Sequence, residues 1–432
     1  MKKHVLIIVI LLFPFFLKAQ DTLTVFRCFK AMENYFPKQQ EKALQKEQTQ
    51  LKVKNINTQW LPDVDLNAQS TYQSDVVEVD LQLDMPPTIG GSMDMDVPSP
   101  SHDQHKITLD VNQMIYDGGA VKAFKEMEKA AGKMNQQSVD VDLYNIREQV
   151  SEVYFGILLL KKQQSITETA LDDLNRKLET VRSAIENGTL LKSDLYSLQA
   201  EKLKIQQSLD QLKNQNESNL QNLRMLTGLE VDTSTSLTVP DPKITRNEQL
   251  KRPEHKLFEL QKKRAEANKG VLKSQNLPKV FAFGQLGYGK PGLNMLSDEF
   301  DSFYIVGAKL TWNLWDWNKT KRQKQILEVQ QKTIDVQKQT FNKNLNIKLS
   351  RIQAAITNYE RAMEQDKEII SLREKILKNA RSKLQNGVIT SVDYINDLNQ
   401  LKKAKLTYEK HKIEWLKAKI NYLFTSGNLD KT

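Results

Sequence analysis

Cysteine is almost absent: Cys28 is the single one in 432 residues. Neither an intrachain disulfide framework nor a cysteine-based zinc cluster can therefore be built. Proline is missing from two long blocks. All twelve prolines lie at or before Pro100 or between Pro240 and Pro291, so residues 101–239 and 292–432 contain none. Very long helices need such blocks, because an interior proline costs about 3 kcal/mol or more. Beyond the N-terminus no stretch approaches the ~18–20 consecutive apolar residues of a spanning helix, which excludes a polytopic helical membrane protein. Charge of one sign is only mildly in excess, with Lys+Arg 63 against Asp+Glu 53 and a net charge of +10. The basic residues share their segments with many acids, a solvated surface and not a nucleic-acid stripe.

Catalytic constellations are missing as well. Of five histidines, His4 lies in the N-terminal apolar segment, His102 and His105 in an acidic loop, and His255 and His411 stand alone. No nucleophile–base or paired-carboxylate arrangement can be identified, so no enzyme, cofactor or resident metal is expected. Gly287-x-Gly289-x-x-Gly292 matches a dinucleotide fingerprint, but the next residues, Leu293 to Asp298, read as a loop and not a helix start, so no phosphate site is built. Residues 75–105 hold many acids and no Lys or Arg, together with Met85, Met93, Met95, His102 and His105. Such ligands could hold copper; a hydrated external loop is the preferred reading.

What is present begins with an export signal. Lys2 and Lys3, the apolar run Val5–Leu17 and the small Ala19 predict a secretory signal over 1–19. Cys28 falls within the apolar pattern of Leu23–Phe36 and is expected to be buried. From there on the chain repeats itself. At one offset of 199, Asp117 falls on Asp316, Asn187-Gly188 on Asn386-Gly387, Asp194 on Asp393 and Thr227-Gly228 on Ser426-Gly427. This spacing predicts an internal duplication: a first repeat over 20–228, a linker over 229–251, a second repeat over 252–427 and a tail over 428–432. In the first repeat, strands are expected at about 63–83 and 105–116, a long helix at about 120–187 and a return helix at about 193–227. In the second, strands are expected at about 279–289 and 302–315, with helices at about 319–386 and 391–426. Lys38–Gln59 and Pro253–Asn276 are predicted as shorter helices that cover the part of each long helix its return helix does not reach.

Leu195, Leu198, Ile205 and Leu209, and again Val392, Ile395, Ile413, Leu416 and Ile420, recur in three- and four-residue steps. That period predicts helices wrapped around each other, as long antiparallel coiled-coil hairpins. The strands alternate with period two. Val64, Leu66, Ala68 and Tyr72, then Ile107, Leu109 and Val111, then Tyr304, Val306, Ala308, Leu310, Trp312 and Leu314 each form an apolar face, while Phe281 and Phe283 blur the polar face of 280–288. The helices spend their apolar residues on one another, which leaves lipid to cover these faces, as in an outer-membrane barrel. Trp60, Tyr72, Tyr116, Tyr288, Trp312, Trp315 and Trp317 crowd the strand ends as an interfacial girdle would. Four strands cannot close alone, and an open edge in lipid leaves backbone groups unpaired. The barrel must be shared: two copies would give eight strands, three would give twelve and a lumen.

With these features and Lys251-Arg252-Pro253-Glu254 before the second strand pair, the chain resembles the TolC-like outer-membrane efflux protein family. The resemblance implies a mainly α fold with a small membrane β part: a periplasmic α-barrel of helical hairpins and a shared twelve-stranded trimeric β-barrel. It implies a homotrimer in the outer membrane that works with a periplasmic adaptor (a membrane fusion protein) and an inner-membrane pump. The role would be the passive exit duct of a tripartite efflux or type I secretion system. It also points to two sites. Asn187, Gly188, Thr189, Leu190, Leu191 and Asp194, with Asn386, Gly387, Val388 and Ile389, would form adaptor-docking tips; otherwise they are capped helix turns with buried staples. Asp393, Asn396 and Asp397 would narrow the tunnel entrance; for Asp393 a helix-start carboxylate fits equally well. The alternative function is a periplasmic coiled-coil adaptor or scaffold without a pore.

Overall fold

The computed structural model describes residues 22–83, 93–96, 99–244 and 249–429; the signal segment lies outside them. In chain order the elements are α1 (Val25–Tyr35), α2 (Lys38–Thr58), β1 (Asp63–Tyr72), β2 (Asp80–Leu83), β3 (Met93–Asp96), β4 (Asp103–Tyr116), α3 (Ala120–Glu186), α4 (Lys192–Thr227), α5 (Pro253–Ser274), β5 (Lys279–Lys290), β6 (Asp301–Thr311), α6 (Lys319–Gln385) and α7 (Ser391–Ser426). The long helices α3 and α6 have 67 residues each, and their return helices α4 and α7 have 36 each.

Each recurring landmark marks a helix terminus. Helix starts leave four backbone N–H groups without a helical partner, and a side-chain carboxylate satisfies them. Asp117 accepts from the Gly119 N–H at 2.7 Å and the Val121 N–H at 2.6 Å. Asp316 accepts from the Thr320 N–H at 2.9 Å at the head of α6. At the other ends, Gly188 and Gly387 (φ +75° and +67°) reverse the chain, and Gly228 and Gly427 (φ +68° and +80°) stop the return helices. Left-handed φ costs a residue with a Cβ roughly 1–2 kcal/mol, which glycine escapes. One pair departs from that rule. Gly118 and Gly119 (φ +65° and +81°) turn β4 into α3, whereas Trp317 and Asn318 (φ +54° and +59°) occupy the equivalent left-handed turn before α6.

The chain divides into two compact units, one of residues 1–41, 139–255 and 340–432, the other of 42–138 and 256–339. Each takes segments from both repeats. In the first unit, α1 supplies Val25, Cys28, Phe29 and Met32 to a core that also holds Val150, Tyr154 and Phe155 of α3, Leu220 and Leu223 of α4, and Leu416 and Ile420 of α7. Cys28 is fully buried there, and desolvation pushes its thiol pKa up to about 12. The Tyr154 hydroxyl donates to the carbonyls of Leu23 (2.8 Å) and Thr238 (2.6 Å). Arg252 is a buried cation of this unit. Its Nε donates to Glu254 at 3.0 Å, its Nη1 to the Phe424 carbonyl at 3.3 Å and its Nη2 to Asn145 at 3.1 Å. The guanidinium lies over the Tyr144 ring at 4.4 Å and the Phe424 ring at 4.9 Å.

The buried stripe that opens α7 runs through Ser391, Tyr394, Leu398 and Leu401. Val392 is therefore outside it, 61% exposed, because the capped first turn sets the helix phase one residue away from the sequence pattern. On α4 the stripe passes through Leu198, Ile205 and Leu209, with Glu201 and Asn216 as buried polar positions.

In the second unit α2 lies along α3. The Thr49 side chain covers Gly132, where a Cβ would come within 2.3 Å of the Thr49 hydroxyl, and Lys52 pairs with Glu128 at 2.9 Å. Helix α5 lies along α6 through Lys262–Asp335 at 2.8 Å and Lys269–Gln331 at 3.2 Å. The four long strands form one antiparallel sheet in the order β1-β4-β5-β6. The strand expected at about 63–83 is shorter. β1 stops at Tyr72, opposite Asp103, because β4 begins there and only one further backbone bond, from the Gln73 N–H to the His102 carbonyl at 2.8 Å, continues the pairing. Residues 80–83 pair with 93–96 in a separate two-stranded sheet. The strand expected to reach 315 likewise ends at Thr311.

Of the two aromatic residues that blur the polar face, Phe281 pairs with Lys309 and Phe283 with a glycine across the strands. Phe283 stands opposite Gly307 and Phe303 opposite Gly287, so that a Cβ at Gly287 would meet the Phe303 ring at 2.1 Å. Gly287 and Gly289 are thus residues of β5, within the strand expected at about 279–289.

Candidate functional site

Two regions carry exposed chemistry, the sheet and the hairpin tips. In the sheet, cross-strand register builds an apolar row from Leu66, Leu109, Leu286 and Tyr304. All four side chains are exposed, and Val306, Leu310 and Leu314 extend the bare face. The opposite face is polar at its centre. Asp110 accepts from Asn67 at 2.8 Å, from the Thr108 hydroxyl at 2.9 Å and from Gln285 at 2.5 Å.

The seven aromatics expected to form the girdle divide between the two ends of the sheet. Tyr72 and Tyr288 sit at the end where β1 pairs with Asp103 and β5 with Ser302. Trp60, Tyr116, Trp312, Trp315 and Trp317 sit at the end that joins the helices, and all seven are exposed. Strands of ten to fourteen residues at about 3.3 Å per residue separate the two groups by roughly the thickness of a tilted membrane strand.

Both histidines of the acidic loop have hydrogen-bond partners. His102 bonds the Gln73 carbonyl at 2.8 Å and His105 the Ser70 hydroxyl at 3.0 Å. Among the described residues no group of three His, Cys, Asp or Glu could hold an ion; Met85 lies outside them.

At the tips the expected docking residues separate into two sets. Leu191 (71%) and Val388 (68%) point into solvent, whereas Leu190 and Ile389 pack on the tip core as staples. That core joins both hairpins: Leu174, Leu178 and Val181 of α3, Leu198 and Ile205 of α4, Leu377 and Leu384 of α6, and Tyr394 and Leu398 of α7. Asn187, Gly188, Thr189, Asn386 and Gly387 form the exposed reversals. Asp194 couples the hairpins: one oxygen accepts from the Leu191 N–H at 3.3 Å, closing its own turn, and the other from the Ser391 N–H at 2.8 Å, in the second hairpin.

Among the expected constriction residues, Asp393 closes a capping box. It accepts from the Thr390 N–H at 3.0 Å and hydroxyl at 2.7 Å. Asn396 is exposed and Asp397 half-buried on the same helix. The bonds from Thr390 hold the Asp393 carboxyl pKa below its ordinary value. A depressed carboxyl stabilises the fold above its unfolded pKa of about 3.9 and stops doing so as pH falls through the folded value. The protection of the Thr390 amide against exchange, relative to an unfolded peptide at the same pH, is therefore expected to hold at neutral pH and to fall below about pH 4. In Asp393→Ala that protection is expected to be lost at every pH; a wild-type profile in that variant would show the cap to be idle.

Sequence reading missed the charged set behind the tips. Lys177 is buried, with its ammonium 5.4 Å from the Tyr394 ring centre and its pKa lowered by desolvation and then by Arg381. Arg381 approaches Asp173 at 3.9 Å, and Asn399 donates to the buried Glu201 at 2.8 Å. No motif marks these residues; they meet only because the two hairpins pack together.

Residues 37–229 match the family described as outer membrane efflux protein. No protein of curated function matches the sequence. Several solved structures share the fold. CusC is 13% identical with a TM-score of 0.68, over 93% of this chain and 91% of that one. The CmeC outer membrane channel of Campylobacter jejuni is 13% identical with a TM-score of 0.65, over 94% and 86%. The MtrE outer membrane channel of Neisseria gonorrhoeae, in its open state, is 13% identical with a TM-score of 0.63, over 94% and 89%. Over residues 37–229 the chain is similar to the outer membrane efflux protein family, and along more than nine-tenths of its length it has the fold of solved outer-membrane channels.

Proposed function

We propose that three copies of this chain form a passive exit duct in the outer membrane, conducting substrates received from a periplasmic adaptor and an inner-membrane pump. One observation carries this reading: a four-stranded sheet whose apolar face is bare and whose edge strands, β1 and β6, have no partner on their outer sides among the described residues. In lipid such edges must be paired. Pairing β6 of one copy with β1 of the next turns three sheets of four strands into a closed cylinder of twelve. The helices support the same assembly. Ile326, Val329 and Val336 form an exposed apolar stripe on α6, as do Leu44 and Leu51 on α2, and a neighbouring copy would cover both. A scaffold without a pore has no use for a bare sheet, and the adaptor reading calls for one helical hairpin where this chain has two.

In this assembly Leu191 and Val388 dock the adaptor, and Asn396 and Asp397, with Asp393 behind them in its cap, form a cation-favouring collar at the entrance. Opening would part the two hairpins and break the bond from the Ser391 N–H to Asp194. The test is export in a host that depends on this duct, with Leu191→Asp and Val388→Asp combined. Burying two unpaired carboxylates in an apolar contact is expected to weaken adaptor binding by about a hundredfold or more, roughly 3 kcal/mol. Export should be lost while the oligomer stays in the outer membrane; undiminished export would remove the tips from the mechanism.

A further inference from the structure

The polar face of the sheet is polar only on one side. Strand alternation places Phe283, Ile305 and Phe303 on the face of Asp110 and Gln285, away from the bare apolar rows. Their levels are consecutive. Phe283 is in register with Asn112 and, beyond it, Asp63; Ile305 with Gln285, Asp110 and Asp65; Phe303 with Gly287, Thr108 and Asn67. The face is thus divided lengthwise, with three carboxylates from β1 and β4 beside a run of apolar side chains from β5 and β6. Lysines stand at the ends of this stretch, Lys309 opposite Phe281 and Lys106 opposite Gly289.

Packing explains part of the arrangement. A phenylalanine laid over a cross-strand glycine covers backbone that the glycine leaves bare. The two Cε atoms of Phe303 lie almost equally far, 2.5 and 2.6 Å, from where a Cβ at Gly287 would be. The ring therefore rests flat on that glycine and turns its other face away from the sheet. That outer face already holds a cation: the Lys106 ammonium is 5.0 Å from the Phe303 ring centre, within the range at which a ring attracts positive charge. Covering glycines does not account for Ile305, which is 37% exposed and has Gln285 across from it.

We propose that this wall is a binding site, midway along the lumen, for organic cations that carry an aromatic or other apolar body. The assignment rests on the duct reading, which makes the polar face the lining of a water-filled barrel. The ring faces and Ile305 take up the apolar body, and the exposed Asp63 and Asp65 hold the positive group. Adjacent strands are about 4.8 Å apart, so the carboxylates of β1 stand about 10 Å from β5, a span that one such cation bridges. An inorganic cation meets only the carboxylates and an aromatic anion only the rings, so neither is held as long. Lys106 is the site's tethered competitor, which a free cation displaces from Phe303.

The test is residence time in single channels. The full-length oligomer is inserted into a planar phosphatidylcholine bilayer, and a hexapeptide of alternating tyrosine and lysine is added on the side of the barrel mouth. Two control peptides carry alanine for tyrosine or glutamate for lysine. Interruptions of the current by the first peptide are expected to last about tenfold longer than those by either control. Phe283→Leu with Phe303→Leu keeps apolar bulk over the glycines and removes the rings, and should bring them down to the alanine control. Asp63→Asn with Asp65→Asn leaves that packing untouched and should shorten them as well, which decides the matter if the leucine protein does not insert. Lys106→Gln frees the Phe303 face and should lengthen them, for the tyrosine peptide more than for the alanine one. Equal interruptions by all three peptides, or unchanged ones in the leucine or asparagine proteins, overturn the site and leave the duct standing. An oligomer that passes no current overturns the duct and the site together.

Discussion

Replacing Arg252 with alanine is expected to lower the unfolding free energy by about 3–5 kcal/mol, the cost of stranding a buried carboxylate. Arg252 is 7% and Glu254 9% exposed, so water cannot take the place of the lost guanidinium. The guanidinium also satisfies the Phe424 carbonyl and Asn145 and fills the space over the Tyr144 and Phe424 rings. Lysine cannot replace it, because one ammonium cannot reach in three directions while lying flat on a ring. Arg252→Met combined with Glu254→Leu is expected to recover most of the loss, since an apolar pair of similar volume leaves no charge unpaired. Circular dichroism during heating of the detergent-solubilised protein separates the two. Equal losses in the single and double variants would show that ring packing dominates and the ion pair contributes little.

Gly427→Ala should be nearly as costly, and Gly188→Ala should not. Both residues are left-handed, at φ +80° and +75°, so each alanine incurs roughly 1–2 kcal/mol of backbone strain. At Gly188 nothing lies within 4 Å of a new Cβ, and the loss should stop there. At Gly427 the Cβ would come within 2.4 Å of the Lys251 carbonyl carbon. The Lys251 N–H donates to the Ser426 carbonyl at 2.9 Å, which fixes that backbone in place. Overpacking adds about 1–3 kcal/mol, for a total of about 2–5 kcal/mol. Similar losses in the two variants would mean the Lys251 backbone yields and the close approach carries no energy.

The duplication was legible in the sequence because its landmarks are helix termini. Few residue types satisfy an unpaired N–H or a positive φ, so Asp117 and Asp316, or Gly228 and Gly427, remain alike where the helix surfaces between them have diverged. The apolar faces of the strands were legible because their period is two and nothing else in the chain covers them. Other features could not be read this way. Trp317-Asn318 performs the turn of Gly118-Gly119 without sharing a residue with it, so the equivalence shows only in the dihedral angles. The end of β1 at Tyr72 depends on where its partner β4 begins, and residues 73–83 carry no sign of that. Phe283 looked like noise until Gly307 appeared opposite it. The partners of Arg252 come from Tyr144, Asn145 and Phe424, more than a hundred residues away on either side, and no local pattern announces them. At the tips, four apolar residues beside glycines looked alike in sequence, yet the reversals between the helices turned Leu190 and Ile389 inward and left Leu191 and Val388 outside.

Conductance across a planar lipid bilayer tests the central claim most directly. Detergent-extracted protein that runs as a trimer is expected to insert and give discrete current steps, larger or more frequent in Asp393→Ala, where the entrance turn is uncapped. A mature chain that stays monomeric and water-soluble without detergent, or a trimer that passes no current even with Asp393→Ala, would contradict the shared barrel and the duct built on it.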